Sequence, residues 1–214
     1  GIAFDGDADR IGAVDEKGQM IAGDRLLILF ARAVLASKPG AGIIGDVKCS
    51  RTLFDDVEKH GGKAVMWKSG HSLIKEAMKT HKAQLAGEMS GHIFFKHRWY
   101  GFDDAVYAGA RLLELLASGR KTLSAHLSNV PTTFVTEEIR IDTRESKKFG
   151  IVDKATKLNV NTIDGARIEF PDGWGLLRAS NTSPVLVMRC EADSKKRLKE
   201  ICALIEGKIK ELNR

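Results

Sequence analysis

The chain has 214 residues and a formal net charge of +6; 43% of its residues are hydrophobic and 29% are charged. This composition is typical of a globular protein, and it excludes the disordered, collagen-like and coiled-coil classes. A chain of this length buries roughly 70% of its unfolded surface, so it can hold a core without disulfides or a structural metal.

The three cysteines are too few for a disulfide scaffold and favour a reducing compartment, which predicts a cytoplasmic protein. The longest apolar run, residues 26–31, is far shorter than the ~20 residues that cross a bilayer, so we expect no membrane partner. The densest basic run, residues 195–197, has no aromatic neighbours, so we expect no nucleic-acid partner. No signal-peptide pattern opens the chain. Its start at Gly1, directly before a predicted strand, indicates a piece of a longer protein.

Strands and helices are predicted to alternate over the first part of the chain, which indicates an α/β domain with helices on both faces of a sheet. Asp24 and Ser50 are the expected N-caps of the first two helices, and Asp103 with Asp104 opens the fourth. In chain order we expect strands over 2–4 and 11–14, a helix over 24–37, a strand over 43–47, a helix over 50–60, a strand over 64–67, a helix over 72–81, strands over 84–86 and 93–95, and a helix over 103–118.

The pattern changes near residue 131, where we expect a domain boundary. Beyond it, Asp164 and Gly165 form a hairpin signal, and the last helix carries its apolar residues on one stripe. We therefore expect an α+β domain with an antiparallel sheet that is covered by helices. Its predicted elements are a strand over 135–141, a helix over 144–157, a hairpin over 162–169, strands over 175–178 and 185–190, and a helix over 194–212.

The first loop that could carry chemistry has carboxylates at alternate positions, on Asp5, Asp7 and Asp9. A strand would space them too far apart for one ion, but a Gly-containing loop can turn them inward onto one hard cation. An EF-hand calcium loop is excluded, because Arg10 stands where that loop needs glycine and the flanks are strands. Three protein oxygens suit Mg²⁺ that is shared with a phosphate. The alternative is a solvated acidic turn.

A second loop, residues 87–92, lies between two short predicted strands. Glu88 and Ser90 could bind adjacent hydroxyls of a sugar, and His92 could transfer a proton near neutral pH. A plain turn is the alternative for this loop taken alone.

A third loop between two predicted strands carries Arg178, Ser180, Asn181 and Thr182. One guanidinium, an amide and hydroxyls on a tight turn can form an oxyanion cradle, although an ordinary Asn/Ser turn has the same composition. Two lesser candidates follow predicted strands, where ligands of α/β sheets often lie. These are Lys48 and His71, and a structural or merely exposed role is the alternative for each.

Three motifs occur in a fixed order: Asp-Gly-Asp-x-Asp-Arg, Gly-Glu-Met-Ser-Gly-His and Arg-Ala-Ser-Asn-Thr-x-Pro. In this combination the chain resembles the α-D-phosphohexomutase superfamily, and within it the bacterial phosphomannomutase/phosphoglucomutase group. The likeness runs over the whole chain and includes residues 46–49 and 101–104. Phosphoglucosamine mutases are similar too, but they usually have Gln where this chain has Met89. That difference favours hexose over hexosamine phosphates.

The resemblance implies a four-domain protein around a cleft. Residues 1–19 would be the tail of its second domain, residues 20–131 its three-layer α/β third domain, and residues 132–214 its phosphate-binding fourth domain. It also implies reversible transfer of a phosphoryl group between the 1- and 6-positions of a hexose phosphate. An active-site phosphoserine and a hexose 1,6-bisphosphate intermediate belong to that reaction.

The same resemblance implies roles for single residues. Asp5, Asp7 and Asp9 would hold Mg²⁺, Arg10 would lie near the reacting phosphoryl group, and His92 would carry a proton. The residues that would bind substrate are Lys48, His71, Glu88 and Ser90 around the sugar, and Arg178, Ser180, Asn181 and Thr182 around the phosphate that is not transferred.

The chain departs from the family pattern because it holds no Ser-His-x-Pro motif for the phosphoserine. We therefore expect the chain to be inactive alone and to need the missing N-terminal domains. Two alternatives stay open, a phosphoglucosamine mutase and a non-catalytic module that binds sugar phosphates.

Overall fold

Helices and strands alternate over the first 131 residues of the computed structural model, which describes residues 1–156, 160–180 and 183–212. The chain divides into two compact units, Gly1–Pro131 (unit 1) and Thr132–Arg214 (unit 2). The elements of unit 1 are β1 (Ile2–Phe4), β2 (Ile11–Val14), β3 (Met20–Ile21), α1 (Gly23–Ser37), β4 (Gly42–Asp46), α2 (Arg51–Lys59), β5 (Lys63–Trp67), α3 (His71–Thr80), β6 (Leu85–Gly87), β7 (Ile93–Phe95), α4 (Ala105–Ala117) and α5 (Leu123–His126).

The main sheet of unit 1 has the strand order β5-β4-β6-β7. β4 pairs in parallel with β5 and β6, whereas β7 runs antiparallel to β6. The carboxyl ends of β4, β5 and β6 therefore meet at one edge of the sheet, where α/β proteins place their ligands. The segments that leave this edge carry Lys48, His71 and Glu88, three of the predicted site residues.

Helices cover both faces of this sheet, as the alternating pattern predicted. Successive strand side chains point to opposite faces, so Ile43 joins the core formed with α1, α2 and α4, while Ile44 joins the core under α3. Phe30 of α1 and Ile74 of α3 are almost fully buried in these two cores. Burial of a side chain of this size stabilises the fold by about 1.5–3 kcal/mol.

Two of the predicted helix caps are confirmed and one is wrong. Ser50 caps α2 and Asp104 caps α4, each by accepting a backbone hydrogen bond from the first turn. The predicted cap Asp24 lies inside α1, which begins at Gly23. Its carboxylate accepts the N–H of Ser50 at 2.8 Å instead. Asp24 therefore connects the first turn of α1 to the start of α2.

A separate antiparallel sheet of order β1-β2-β3 holds the acidic loop. β1 pairs with β2 from Ile2 opposite Ala13 to Phe4 opposite Ile11, so the loop connects two strands that are already paired. Ile11 and Ala13 are buried in the same core as α1. This packing fixes the position of the loop within unit 1.

Unit 2 contains β8 (Phe134–Val135), β9 (Ile139–Asp142), α6 (Glu145–Thr156), β10 (Ala166–Phe170), β11 (Gly173–Ala179), β12 (Val185–Ala192) and α7 (Lys195–Leu212). The strands form an antiparallel sheet of order β10-β11-β12-β8, with β9 also paired to β12. Ile151 of α6 and Ile201, Ile205 and Ile209 of α7 are buried against it, which confirms the predicted α+β arrangement. Among the described residues, no helix combines the length and the apolar character needed to span a membrane.

Two details of unit 2 differ from the predictions. The strand predicted over 135–141 is split into β8 and β9, because residues 136–138 stand opposite only two residues of β12. The extra residue forms a bulge, where Thr136 Oγ1 accepts the N–H of Cys190. The predicted turn at Gly165 forms, but only an isolated bridge precedes it, and β10 pairs with β11 across the following turn.

Candidate active site

The acidic loop turns its three carboxylates toward one another. One carboxylate oxygen from each of Asp5, Asp7 and Asp9 lies within 4.8 Å of the other two. Ala8 adopts a left-handed φ of 59°, and its N–H donates to the carbonyl oxygen of Asp5. The N–H of Arg10 donates to Asp5 Oδ1 at 3.1 Å, and this hydrogen bond lowers the pKa of Asp5. The three carboxylates therefore converge on one point, which a loop allows and an extended strand does not.

These carboxylates fit a hard divalent cation. Asp9 Oδ1 is buried, and within the described residues no hydrogen-bond donor reaches it. A buried carboxylate oxygen normally has such a partner. Arg10 Nε lies 3.8 Å from Asp9 Oδ1 and 3.5 Å from Asp5 Oδ2, so one guanidinium is shared by two of the three carboxylates. Clustered oxygen ligands with excess negative charge are the donor set that Mg²⁺ and Ca²⁺ take.

The second loop forms a hydrogen-bonded group around Glu88. Glu88 Oε2 lies 2.7 Å from His92 Nδ1 and 3.2 Å from Ser90 Oγ, and Oε1 accepts the N–H of Gly70 at 2.5 Å. Glu88 and His92 are buried, whereas Ser90 is exposed. Burial alone would raise the pKa of Glu88, but the hydrogen bonds from His92 and Gly70 outweigh it and lower that pKa. Glu88 is therefore a buried carboxylate that fixes the imidazole of His92.

The two loops meet at His92. The N–H of Ile11 donates to the carbonyl oxygen of Gly91 at 3.1 Å, and Arg10 forms an isolated bridge with His92. His92 Nε2 lies 3.2 Å from Arg10 Nε, a donor, and 3.2 Å from Asp9 Oδ2, an acceptor. The neutral ring can accept from Arg10, and the protonated ring can donate to Asp9. Nε2 can therefore gain or lose a proton and keep a partner in both states.

The surroundings of His92 favour its charged form. The hydrogen bond to Glu88 raises the pKa of His92, against the opposing effect of burial, and the charge of Asp9 raises it further. Histidine ordinarily titrates just below neutral pH. The shift therefore keeps His92 available as a proton donor near pH 7.

The sequence did not predict a site role for Asp103, which lies near His92, or for its partner Lys75. A carboxylate oxygen of Asp103 lies within 4.8 Å of ligand atoms of Asp9 and His92. Lys75 Nζ lies 3.1 Å from Asp103 Oδ1 and 3.0 Å from His71 Nδ1. His71 itself is exposed, and its Nδ1 is 3.7 Å from Asp103 Oδ2. The predicted site residue His71 thus connects to the acidic group through Lys75 and Asp103.

Asp46 ties together the segments at the carboxyl edge of the sheet. The Asp46 side chain is fully buried. Its Oδ1 accepts hydrogen bonds from the N–H of Met89 and the thiol of Cys49, and its Oδ2 accepts one from the hydroxyl of Ser69 at 2.6 Å. Burial raises the pKa of Asp46, and the charge of Lys48 opposes that rise. The partly buried Lys48, a predicted substrate ligand, therefore lies close to this carboxyl group.

In unit 2, Arg178 lies at the end of β11 with a largely buried side chain. Its Nη2 pairs with Asp164 Oδ2 at 3.2 Å, and its Nε is buried with no hydrogen-bond acceptor among the described residues. Ser180 Oγ accepts the N–H of Ser183 at 3.2 Å. Lys148, which is 2% exposed, donates to the carbonyl oxygen of Ser183. The other two predicted phosphate ligands, Asn181 and Thr182, lie outside the described residues.

Both units match family models. Residues 22–134 match the phosphoglucomutase/phosphomannomutase alpha/beta/alpha domain III, and residues 138–208 match the phosphoglucomutase/phosphomannomutase C-terminal domain. The chain belongs to the phosphoglucomutase/phosphomannomutase family. The resemblance inferred from the three sequence motifs is confirmed. Members of the phosphohexomutase superfamily in general use a metal ion, and the acidic loop of this family member has a donor set that fits one.

Individual relatives are similar over almost the whole chain. A phosphomannomutase/phosphoglucomutase of Pseudomonas putida is 52% identical over 207 residues, which make up 94% of this chain and 45% of that protein. A phosphoglucomutase of Neisseria meningitidis serogroup A is 52% identical over 209 residues, with the same shares. A crystal structure of a Burkholderia thailandensis phosphoglucomutase/phosphomannomutase family protein has a TM-score of 0.91 at 48% identity and covers 99% of this chain and 46% of its own. The chain spans about half the length of the curated relatives it matches.

Proposed function

We propose that this chain is part of a phosphohexomutase that interconverts the 1- and 6-phosphates of mannose or glucose. The main support for the proposal is a hydrogen-bonded chain from Asp9 through His92 to Glu88. This chain connects a loop suited to a metal with a loop suited to sugar hydroxyls. Relatives about 50% identical over this region bear the name phosphomannomutase/phosphoglucomutase. The reaction would run through a phosphoserine and a hexose 1,6-bisphosphate.

The residues of the acidic loop would act on the transferring phosphoryl group. Asp5, Asp7 and Asp9 would hold Mg²⁺, which would neutralise charge on that group when bound. The side chain of Arg10 is 53% exposed beside these carboxylates, so it can contact an anion that approaches them. Binding and orientation supply most of the catalysis in phosphoryl transfer, because the protein has little covalent chemistry to perform.

His92 would move the proton of the sugar hydroxyl that attacks or leaves phosphorus. Its Nε2 can hold a proton against Asp9 and release it while still bonded to Arg10. Glu88 fixes the ring through Nδ1 and stabilises its charged form. Glu88 Oε2 already accepts from His92 and Ser90, but Oε1 accepts only the N–H of Gly70 among the described residues, so Oε1 has a further lone pair for a sugar hydroxyl.

In unit 2, Arg178, Ser180, Asn181 and Thr182 would bind the phosphate that is not transferred. The buried Nε of Arg178 has no acceptor among the described residues, and a phosphate oxygen would supply one. Lys148 adds a buried positive charge at the carbonyl oxygen of Ser183. The chain would thus supply the metal, sugar and distal phosphate loops, and it would be inactive without the N-terminal domains that carry the phosphoserine.

We propose a hexose rather than a hexosamine phosphate as substrate, on the identity of Met89. Its side chain packs against the core of unit 1 and its N–H binds Asp46, so it would act by shaping the loop. We also place the protein in the cytoplasm, because its three cysteines are free thiols. These are Cys49, Cys190 and Cys202.

Calorimetric titration of this chain with glucose 1-phosphate and mannose 1-phosphate, in the presence of Mg²⁺, tests the binding part of the proposal. We expect Arg178→Ala to weaken binding by about tenfold, since it removes a charged hydrogen-bond partner of phosphate. The exposed Arg120→Ala is the matched control and should bind as the wild type does. Equal affinity in both variants would contradict the proposal. Tighter binding of glucosamine 1-phosphate would instead favour the phosphoglucosamine mutase.

A further inference from the structure

A basic cavity lies beside α3 of unit 1. Its volume is about 490 Å³, within the range of ~300–1,000 Å³ typical of small-molecule sites. Met78 and Ala83, both buried, give it an apolar floor. The side chains that determine its chemistry are Lys75, Lys79, Lys82, Lys96, Tyr100 and Phe102.

The charge of this cavity is largely uncompensated. Lys75 is neutralised by Asp103, but no carboxylate of the described residues lies within ion-pair distance of Lys79, Lys82 or Lys96. These three lysines come from α3, from the turn after it, and from the segment after β7. Like charges that face one cavity repel one another, and an anion with several charges would relieve this repulsion.

An aromatic platform borders the lysines. The rings of Tyr100 and Phe102 are stacked, with centroids 6.2 Å apart and an interplanar angle of 10°. Both are exposed, Tyr100 by 73% and Phe102 by 42%. Trp99 supports the platform: its ring centroid lies 5.0 Å from that of Tyr100 and 4.2 Å from that of Tyr107, on which it is stacked. The platform is therefore already ordered for a flat ligand.

We propose that this cavity binds a nucleoside polyphosphate. The base would stack on Tyr100 and Phe102, as bases do on exposed aromatic rings. The phosphates would contact Lys79, Lys82 and Lys96, since ammonium groups are common phosphate ligands. A hexose phosphate has no planar ring to cover this platform, and inorganic phosphate would leave it exposed. Lys75 connects this cavity to the candidate active site through Asp103, but the lysines and rings that would bind the nucleotide are not residues of that site. The proposal does not depend on the proposed mutase function.

The test uses the whole chain, titrated with ADP in the presence of EDTA so that no metal bridges the nucleotide to the acidic loop. Binding is followed by calorimetry and by the fluorescence of Trp99, which adjoins the platform. We expect ADP to bind about tenfold more tightly than adenosine or pyrophosphate, because each of these lacks one half of the contacts. A Trp99→Phe variant should remove the fluorescence change and leave the calorimetric signal.

Surface variants separate the two halves of the site. The double variant Lys79→Gln with Lys82→Gln should weaken ADP binding about tenfold. Tyr100→Ala should weaken it several-fold, whereas Tyr100→Phe, which keeps the ring, should bind as the wild type does. Lys17→Gln, an exposed lysine in another turn, is the control and should change nothing.

Three results would overturn the proposal. One is the absence of saturable ADP binding below about 1 mM. A second is equal binding of ADP, pyrophosphate and glucose 1,6-bisphosphate, which would indicate an anion site that ignores the base. The third is much tighter binding of an oligothymidylate than of any mononucleotide, which would indicate a single-stranded nucleic-acid surface.

Discussion

Replacing Glu88 by Gln tests how strongly the second loop depends on a charged partner for His92. The N–H of Gly70 can only donate, so the amide oxygen of Gln must face it, and the new NH₂ must face His92 Nδ1. The three hydrogen bonds that Gly70, His92 and Ser90 make to the carboxylate then become bonds to a neutral amide. Hydrogen bonds to charged groups contribute ~1.5–3 kcal/mol to stability and neutral ones ~0.5–1.5 kcal/mol. We therefore expect Glu88→Gln to lower the free energy of unfolding by about 1–3 kcal/mol.

Urea unfolding of Glu88→Gln measures this loss, and Glu114→Gln is the matched control. Glu114, whose side chain is 48% exposed, pairs with the exposed Arg98 and the buried Arg111, so water screens its charge and its loss should change stability little. The folded-state pKa of Glu88 is lowered, so its stabilising charge is present above the unfolded pKa of about 4.3 and is lost as pH falls through the folded pKa. The deficit of the variant should therefore shrink in acid. A loss no larger than that of Glu114→Gln, or one that does not depend on pH, would show that the charge of Glu88 does not stabilise this loop.

Three further changes have definite expected outcomes. Asp9→Asn should weaken Mg²⁺ binding, measured by calorimetry, about tenfold. The control Asp55→Asn, at an exposed position, should leave it unchanged. Equal Mg²⁺ affinity of the two variants would contradict a metal site in the acidic loop. Gly91→Ala should lower the free energy of unfolding by about 1–3 kcal/mol in urea, because the φ angle of Gly91 is +100° and a Cβ would lie 2.6 Å from the carbonyl oxygen of Ile11. An unchanged free energy of unfolding would show that the two loops are not tightly packed together. The folded-state pKa of Asp46 is raised, so the stability of the wild type falls as pH rises from the unfolded pKa toward the folded one. The stability of Asp46→Asn relative to the wild type, measured by urea unfolding, should therefore increase with pH. A difference that stays constant with pH would contradict this expectation.

Features that depend on neighbouring residues could be predicted from the sequence. Ser50 and Asp104 form the expected helix caps because a cap involves only the first turn of its own helix. The acidic loop converges as expected because a short Gly-containing segment between paired strands has few ways to turn. Alternating strands and helices likewise predicted the layers of unit 1.

Features that depend on contacts between distant segments could not be predicted. Asp103 stands beside the capping Asp104, and nothing local shows that it reaches Asp9 and His92. Asp46 is a carboxyl at a strand end, and its burial becomes evident only when Ser69 and other donors from separate segments surround it. The bulge after β8 depends on the register of β12, which the alternation of a single strand does not contain.

Catalysis by a fusion protein tests whether this chain supplies the metal and sugar loops of a phosphohexomutase. The N-terminal portion of the Pseudomonas putida relative, joined to this chain in place of the matching region, would supply the part of that relative that this chain does not cover. We expect the fusion to convert glucose 1-phosphate or mannose 1-phosphate to the 6-phosphate, and this chain alone to convert neither. His92→Ala in the fusion should reduce the rate by ~100-fold or more, as loss of a general acid–base does, while Arg120→Ala should not. A folded fusion without mutase activity would contradict the proposed function, and one that keeps full activity without His92 would contradict the proton-transfer role of this residue.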